Sequence, residues 1–100
     1  MSTTPLFRWS TGEYAGFFLQ GSIFDRDGFY LGWVEENTSA WRTNGHFWGQ
    51  VVEGCYLMRY DAMAEPAGQL PRIPPIPPMP PAEPSDRPAR DVVTGWSEAI

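Results

Sequence analysis

Between residues 5 and 60 the chain places its apolar residues in short runs that alternate with turn-forming residues. The runs are rich in aromatic residues and alternate between apolar and polar positions, which is typical of half-buried β-strands. One seven-residue pattern, Gly-x-aromatic-x-Gly-x-(Phe or Val), begins at Gly12 and returns at Gly28 and Gly45. Asp-Gly and Asn-Gly pairs precede the second and third copies, and such pairs are strong hairpin signals. The pattern therefore predicts three strand–turn–strand units that repeat every 16 or 17 residues.

A fourth unit begins in the apolar run from Cys55 to Asp61. Ala62 stands where its turn glycine is expected, so we expect the fourth return strand to be missing or degenerate. Several hairpins that pack their aromatic faces together gain a stability that one hairpin lacks. The sequence predicts an all-β fold of four short tandem β-hairpins in a pseudo-four-fold ring, followed by a polyproline II tail. We assign residues 1–65 to the hairpin domain and residues 66–100 to the tail.

A second glycine follows each turn glycine after four residues. Glycine inside a strand lowers stability, so its recurrence requires a local reason. One interpretation is a crowded central axis where neighbouring backbone approaches closely, and the alternative is a β-bulge at each site. The predicted structural glycines are Gly12, Gly16, Gly28, Gly32, Gly45 and Gly49.

Composition and charge limit the classes of partner and the cellular location that we expect. The net charge is −5 and no basic patch exists, so a nucleic-acid partner is not expected. All seven cations are arginine, which favours stacked or bidentate cation contacts, although genome composition explains this equally well. The N-terminus lacks the features of a signal peptide and no run is long enough to cross a bilayer. The expectation is a cytoplasmic protein with no membrane contact, no metal site and no cofactor; Cys55 is the only cysteine.

The pattern from Phe24 to Trp33, the Ile-Pro-Pro repeat from Arg72 to Pro81 and the closing Gly95-Trp96-Ser97 together resemble bacterial proteins that carry the four-fold β-flower domain. The resemblance spans nearly the whole chain. It implies a pseudo-four-fold arrangement of hairpins and implies no activity.

The aromatic residues are the strongest candidates for binding. Both faces of some strands carry aromatic rings, and exposed aromatic surface commonly marks an interaction site. The predicted aromatic binding surface consists of Trp9, Tyr14, Tyr30, Trp33, Trp41 and Trp48.

The tail has an apolar residue at every third position, which matches the three-residue turn of polyproline II. Three interpretations compete: the tail docks on its own body or on a sister protomer of a homo-oligomer, it is a ligand for another protein's aromatic groove, or it is a linker. In the first interpretation its apolar edge covers the aromatic body, and Trp96 is the terminal anchor. The predicted ligand residues are Ile73, Pro74, Pro75, Ile76, Pro77, Pro78, Met79 and Trp96.

Catalytic candidates are few. His46 is the only histidine, and nothing in the sequence pairs it with a nucleophile or an orienting acid. The prediction is therefore a protein that is not an enzyme: a non-catalytic binding or assembly module whose aromatic β body packs a polyproline segment. The alternatives are an adaptor whose tail binds an SH3- or WW-like partner, and a small enzyme that uses His46.

Overall fold

The computed structural model describes residues 3–36 and 38–100. Across these residues the chain forms eight β-strands and no helix. The strands are β1 Thr4–Phe7, β2 Tyr14–Leu19, β3 Ser22–Asp25, β4 Tyr30–Glu35, β5 Ser39–Arg42, β6 Phe47–Val52, β7 Tyr56–Tyr60 and β8 Trp96–Glu98. Each strand pairs antiparallel with its neighbour in chain order. The all-β prediction is confirmed.

The sheet closes on itself. β1 pairs in parallel with β7 through Phe7 and Tyr56, and the Phe7 amide donates to the Cys55 carbonyl at 2.8 Å. The first seven strands therefore form a ring, and β8 extends it. The molecule is a disc with extents of 36 × 35 × 18 Å. The prediction of tandem hairpins in a ring is confirmed.

Turn chemistry explains the local folding. The Asp25 carboxylate accepts hydrogen bonds from the backbone amides of Asp27 and Phe29, which fixes the second hairpin turn. The Asn44 side chain accepts the amide of His46 in the third turn in the same way. Asn44 belongs to the Asn-Gly signal, whereas the acceptor in the second turn is Asp25, which lies two residues before the Asp27-Gly28 pair.

The fourth hairpin is completed from the far end of the chain. β8 pairs with β7 through Tyr60–Trp96, Arg59–Ser97 and Met58–Glu98. The expectation that the fourth return strand is missing or degenerate is wrong. The strand exists but follows β7 only after residues 61–95, so no short-range turn signal announces it. The division of the chain at residue 65 remains a prediction.

The centre of the disc is apolar. One buried residue from the first strand of each hairpin lies there, and these residues recur every 17 positions: Leu6, Ile23, Ala40 and Leu57. Trp48 belongs to the same cluster, and Ala99 and Ile100 pack against it. The repeat thus places four equivalent side chains around one axis, and their contact forms the shared core.

Close approach and bulges both occur at the strand glycines. An ideal Cβ on Gly16 would lie 2.1 Å from the Phe24 carbonyl oxygen, and one on Gly32 would lie 1.9 Å from that of Trp41. The residue before each of these glycines is bulged, because the pairing register shifts there. Close approach and a bulge therefore coincide at these two glycines, and the crowding atom is a backbone carbonyl oxygen of the next hairpin. The central axis stays a prediction.

Candidate interaction surface

The rings of the predicted aromatic surface lie mostly in the core. Trp33 is 1% exposed and Tyr14 is 3% exposed, and only Tyr30 is half-buried. Trp9, Trp41 and Trp48 are buried as well. The prediction of an exposed aromatic binding surface is therefore wrong. Small hairpins have little aliphatic core, so their aromatic residues supply it.

The rim of the disc is covered by the segment between β7 and β8. We call residues 62–95 the belt; from 64 to 93 they form no helix or strand. The belt meets the three hairpin turns in reverse order. Its backbone contacts Gly45 at Gln69, Gly28 at Pro78 and Gly12 at Arg87, at intervals of nine residues.

Two of these contacts are backbone hydrogen bonds. The amide of Gln69 donates to the carbonyl of Gly45 and the amide of Arg87 donates to the carbonyl of Gly12, both at 2.8 Å. The turn glycines combine a positive φ, 77° at Gly12 and 87° at Gly45, with burial by the belt. A Cβ on Gly12 would lie 1.6 Å from the Arg87 carbonyl oxygen. These turns therefore require glycine for two reasons, conformation and close approach.

Arginine side chains attach the belt to the aromatic body. The Arg90 guanidinium lies 4.3 Å from the centroid of the Trp9 ring, and that of Arg87 lies 4.6 Å from the Phe7 ring. The Trp9 indole nitrogen donates to the backbone carbonyl of Asp91 at 2.7 Å. Such cation–π contacts are worth about 0.5–1 kcal/mol at exposed sites and more where water is excluded. The absence of lysine from the sequence fits this use of the planar guanidinium.

Ion pairs supplement the stacking. Arg90 makes two hydrogen bonds with the carboxylate of Glu53, at 3.0 and 3.1 Å, which lower the pKa of Glu53. Arg26 of the second turn pairs with Glu83 of the belt at 2.6 Å. The groups are half exposed, so each pair contributes little by itself.

Glu35, at the end of β4, joins the belt to the core. Its carboxylate accepts hydrogen bonds from the Gln69 amide group at 3.0 Å, the Trp33 indole at 3.2 Å and the Arg72 guanidinium at 2.5 Å. The pKa of Glu35 is lowered, first by the Gln69 hydrogen bond and then by those of Trp33 and Arg72. Arg72 also lies 4.9 Å from the centroid of the Trp33 ring.

The outer side of the belt is apolar. Residues 70–81, Leu-Pro-Arg-Ile-Pro-Pro-Ile-Pro-Pro-Met-Pro-Pro, consist of four triplets of the form apolar–Pro–x. The first residue of every triplet points to solvent: the exposed fractions are 89% for Leu70, 94% for Ile73, 92% for Ile76 and 91% for Met79. We call these four residues the apolar edge.

Within one chain the apolar edge does not cover the aromatic body, so the prediction that Ile73, Ile76 and Met79 dock on their own body is wrong. Docking on a sister protomer stays a prediction. Three of the four third positions of the triplets contact the body instead, whereas Pro75 is exposed. Arg72 stacks on Trp33, the Pro78 carbonyl approaches Gly28, and Pro81 contributes with Tyr14 to a small cavity of ≈ 120 Å³. A segment with a three-residue period has three edges, one for each position of the triplet. The sequence alone does not determine which edge faces the body.

Trp96 lies beside the ring, partly buried. Its ring centroid is 5.2 Å from that of Tyr60, and it lines an apolar cavity of ≈ 270 Å³ together with Trp9, Val52, Met58 and Val93. The strand that it begins ends at Glu98, and the carbonyl of the next residue, Ala99, accepts the Trp48 indole hydrogen bond at 2.7 Å. Trp96 is therefore part of the fourth hairpin rather than of the apolar edge.

His46 and Cys55 lie in different surroundings. His46 is exposed in the third hairpin turn. Cys55 is 5% exposed, its Sγ accepts a contact from Arg87 at 3.3 Å, and burial raises the pKa of its thiol. Among residues 3–36 and 38–100, no group of three or more His, Cys, Asp or Glu side chains is placed to hold a metal ion.

Sequence reasoning missed Leu70 and the inward arginines. Leu70-Pro71 is the first apolar–Pro pair of the triplet repeat, so the period itself contained the signal for Leu70. The roles of Arg72, Arg87 and Arg90 depend on rings more than thirty residues away, and no local pattern marks them.

Comparison of the chain with protein-family models, with curated proteins and with solved structures finds no match. The resemblance to the β-flower family stays a prediction. In the described part of the chain, no helix has the length and apolar character required to cross a membrane.

Proposed function

We propose that this protein is a non-catalytic protein-binding module in which the hairpin ring holds the proline-rich belt and displays its apolar edge to a protein partner. The observation that supports the proposal is the exposure of Leu70, Ile73, Ile76 and Met79, each 89% or more. Four large apolar side chains in a continuous row exceed the scattered exposure of an ordinary surface.

The spacing of the edge fits a known mode of recognition. Proline-rich segments in the polyproline II conformation dock into aromatic-lined grooves of SH3- and WW-like domains. The belt contains the required Pro-x-x-Pro spacing several times, for example from Pro74 to Pro77. A groove that accepts apolar–Pro pairs would bury the apolar edge while leaving the contacts with the ring in place.

The ring contributes by ordering the ligand in advance. The belt is fixed by backbone hydrogen bonds to Gly45 and Gly12 on either side of the apolar edge. A segment that is ordered before binding loses less conformational entropy when the partner binds. Complete burial of one Leu, Ile or Met side chain is worth about 1.5–3 kcal/mol, so the edge has enough apolar surface to drive association.

The proposal is tested with an array of immobilised SH3 and WW domains and the purified full-length chain. The double variant Ile73→Asn/Ile76→Asn should weaken binding at least tenfold, because it removes the burial of two side chains. Val92→Asn is the matched control, since Val92 is an apolar belt residue that is 87% exposed and lies outside the triplets. Equal binding by the double variant and the parent chain would contradict the proposal.

A further inference from the structure

We infer that the partner's groove is aromatic and uncharged, and that the belt is built to exclude grooves bordered by carboxylates. This inference rests on the proposed function and concerns the chemistry of the partner. Its basis is the charge distribution around the apolar edge. Arg72 is the only charged residue between positions 70 and 81.

Arg72 is directed toward the ring and not toward the edge. Its guanidinium is hydrogen-bonded to Glu35 at 2.5 Å and stacks on Trp33 at 4.9 Å. It occupies a third position of the triplet repeat, whereas Leu70 and Ile73 on either side occupy first positions and point to solvent. The cation and the apolar row therefore lie on different edges of the same segment.

The Glu35 carboxylate has three donors that hold it in place. Trp33 and Gln69 donate to it along with Arg72, so one belt residue and one core residue orient the acceptor for the arginine. A partner carboxylate that recruited Arg72 would compete with its ion pair to Glu35 and with its stacking on Trp33. This geometry therefore lowers the affinity of any groove that binds proline together with a neighbouring cation.

The other cations of the belt are also directed inward. Arg87 stacks on Phe7, and Arg90 stacks on Trp9 while it pairs with Glu53. The acidic belt residue nearest the edge, Glu83, pairs with Arg26 of the ring. The surface presented by residues 70–80 is consequently apolar apart from Arg72, whose half-exposed side chain is paired with Glu35, and an apolar aromatic groove is its complement.

The inference is tested with the full-length chain against a panel of proline-reading domains sorted by whether carboxylates border the groove. Affinities are measured at 50 and 500 mM NaCl for the parent chain, for Ile73→Asn and for Arg72→Gln. Arg59→Gln is the matched control, because Arg59 also pairs with a belt carboxylate, that of Glu65, but lies in β7 and outside residues 70–81. We expect binding to uncharged grooves that changes less than about threefold with salt or with Arg72→Gln and weakens at least tenfold with Ile73→Asn.

Two results would contradict the inference, and they are distinguishable. Tight binding to carboxylate-bordered grooves that falls at least tenfold with Arg72→Gln would overturn the inference and leave the proposed function standing. Binding to neither groove type would overturn the proposed function, and the inference with it.

Discussion

The backbone amide of Gln69 donates a hydrogen bond to the carbonyl of Gly45, a residue in the turn of the third hairpin. An ideal Cβ on Gly45 would lie 1.8 Å from the Gln69 carbonyl oxygen. The belt and the turn therefore contact each other by backbone alone, and the same relationship recurs between Arg87 and Gly12. The glycines that predict the hairpin turns in the sequence are therefore also the residues that the belt contacts.

Replacement of Gly12 should detach part of the belt. Gly12→Ala places a Cβ where the Arg87 carbonyl lies, so we expect the protection of the amides from Arg87 to Asp91 to fall while the sheet amides stay protected. Hydrogen exchange measures both. Gly54→Ala is the matched control, because Gly54 has a φ of 74° but no atom within 4 Å of an ideal Cβ. If both variants alter the belt amides equally, backbone strain alone explains the effect.

The strand glycines should tolerate no side chain. Gly32→Ala would place a Cβ 1.9 Å from the Trp41 carbonyl oxygen. We expect it to lower the free energy of unfolding by about 1–3 kcal/mol or more, as overpacking does. Urea unfolding measures the change. Gly68→Ala, whose Cβ would meet only ordinary contacts, should change the free energy by about 0.5 kcal/mol or less. An equally small effect of Gly32→Ala would contradict the crowding at this site.

Stability should fall in acid through Glu35 and Glu53. The pKa of each carboxyl is lower in the folded state than its ordinary value of 4.5, so the folded state binds the proton less readily than the unfolded state does. The resulting stabilisation is complete above pH 4.5 and is lost as the pH falls through the lowered values. Urea midpoints between pH 7 and pH 3 should decline, and Glu35→Gln should reduce the decline. Glu36→Gln removes the same number of carboxyl groups and is the control. An unchanged decline in Glu35→Gln would show that its contacts with the belt do not stabilise the fold.

Truncation of Trp96 should weaken the fourth hairpin without abolishing the ring. Burial of a core Trp is worth about 3–5 kcal/mol, and Trp96 is only partly buried, so Trp96→Ala should cost roughly half as much. Thermal unfolding measures the loss, and hydrogen exchange should show it first at Asp61, whose amide donates to the Gly95 carbonyl at 2.7 Å. A loss of protection at β3 and β4 of similar size would indicate that β8 is required for the whole ring.

His46→Gln should leave folding and partner binding unchanged, because His46 is exposed in a turn and its backbone amide makes the turn contact with Asn44. A selective loss of function in a folded variant would favour the enzyme interpretation.

Local signals determined how much of the fold could be predicted. Asp25 and Asn44 accept amides two residues later, so the second and third turns could be read directly from the sequence. The Tyr60–Trp96 pair joins residues 36 positions apart, and no short-range pattern encodes such a pairing. The period of the belt predicted that Ile73, Ile76 and Met79 share an edge. The direction of that edge is set by Arg72, Glu35 and Trp33, which come together only in the folded protein.

The late return of the chain at β8 has a consequence for the order of folding. The first three hairpins pair residues that are close in sequence. The partner of β7 is β8, which follows it only after the belt, and the belt contacts the third, second and first turns in that order. Contacts of low sequence separation form fastest, and closure of long loops is slow. We expect an early species in which three hairpins are paired and the edge of β7 at Tyr60 is open, followed by a slower step in which the belt packs against the turns and β8 pairs with β7.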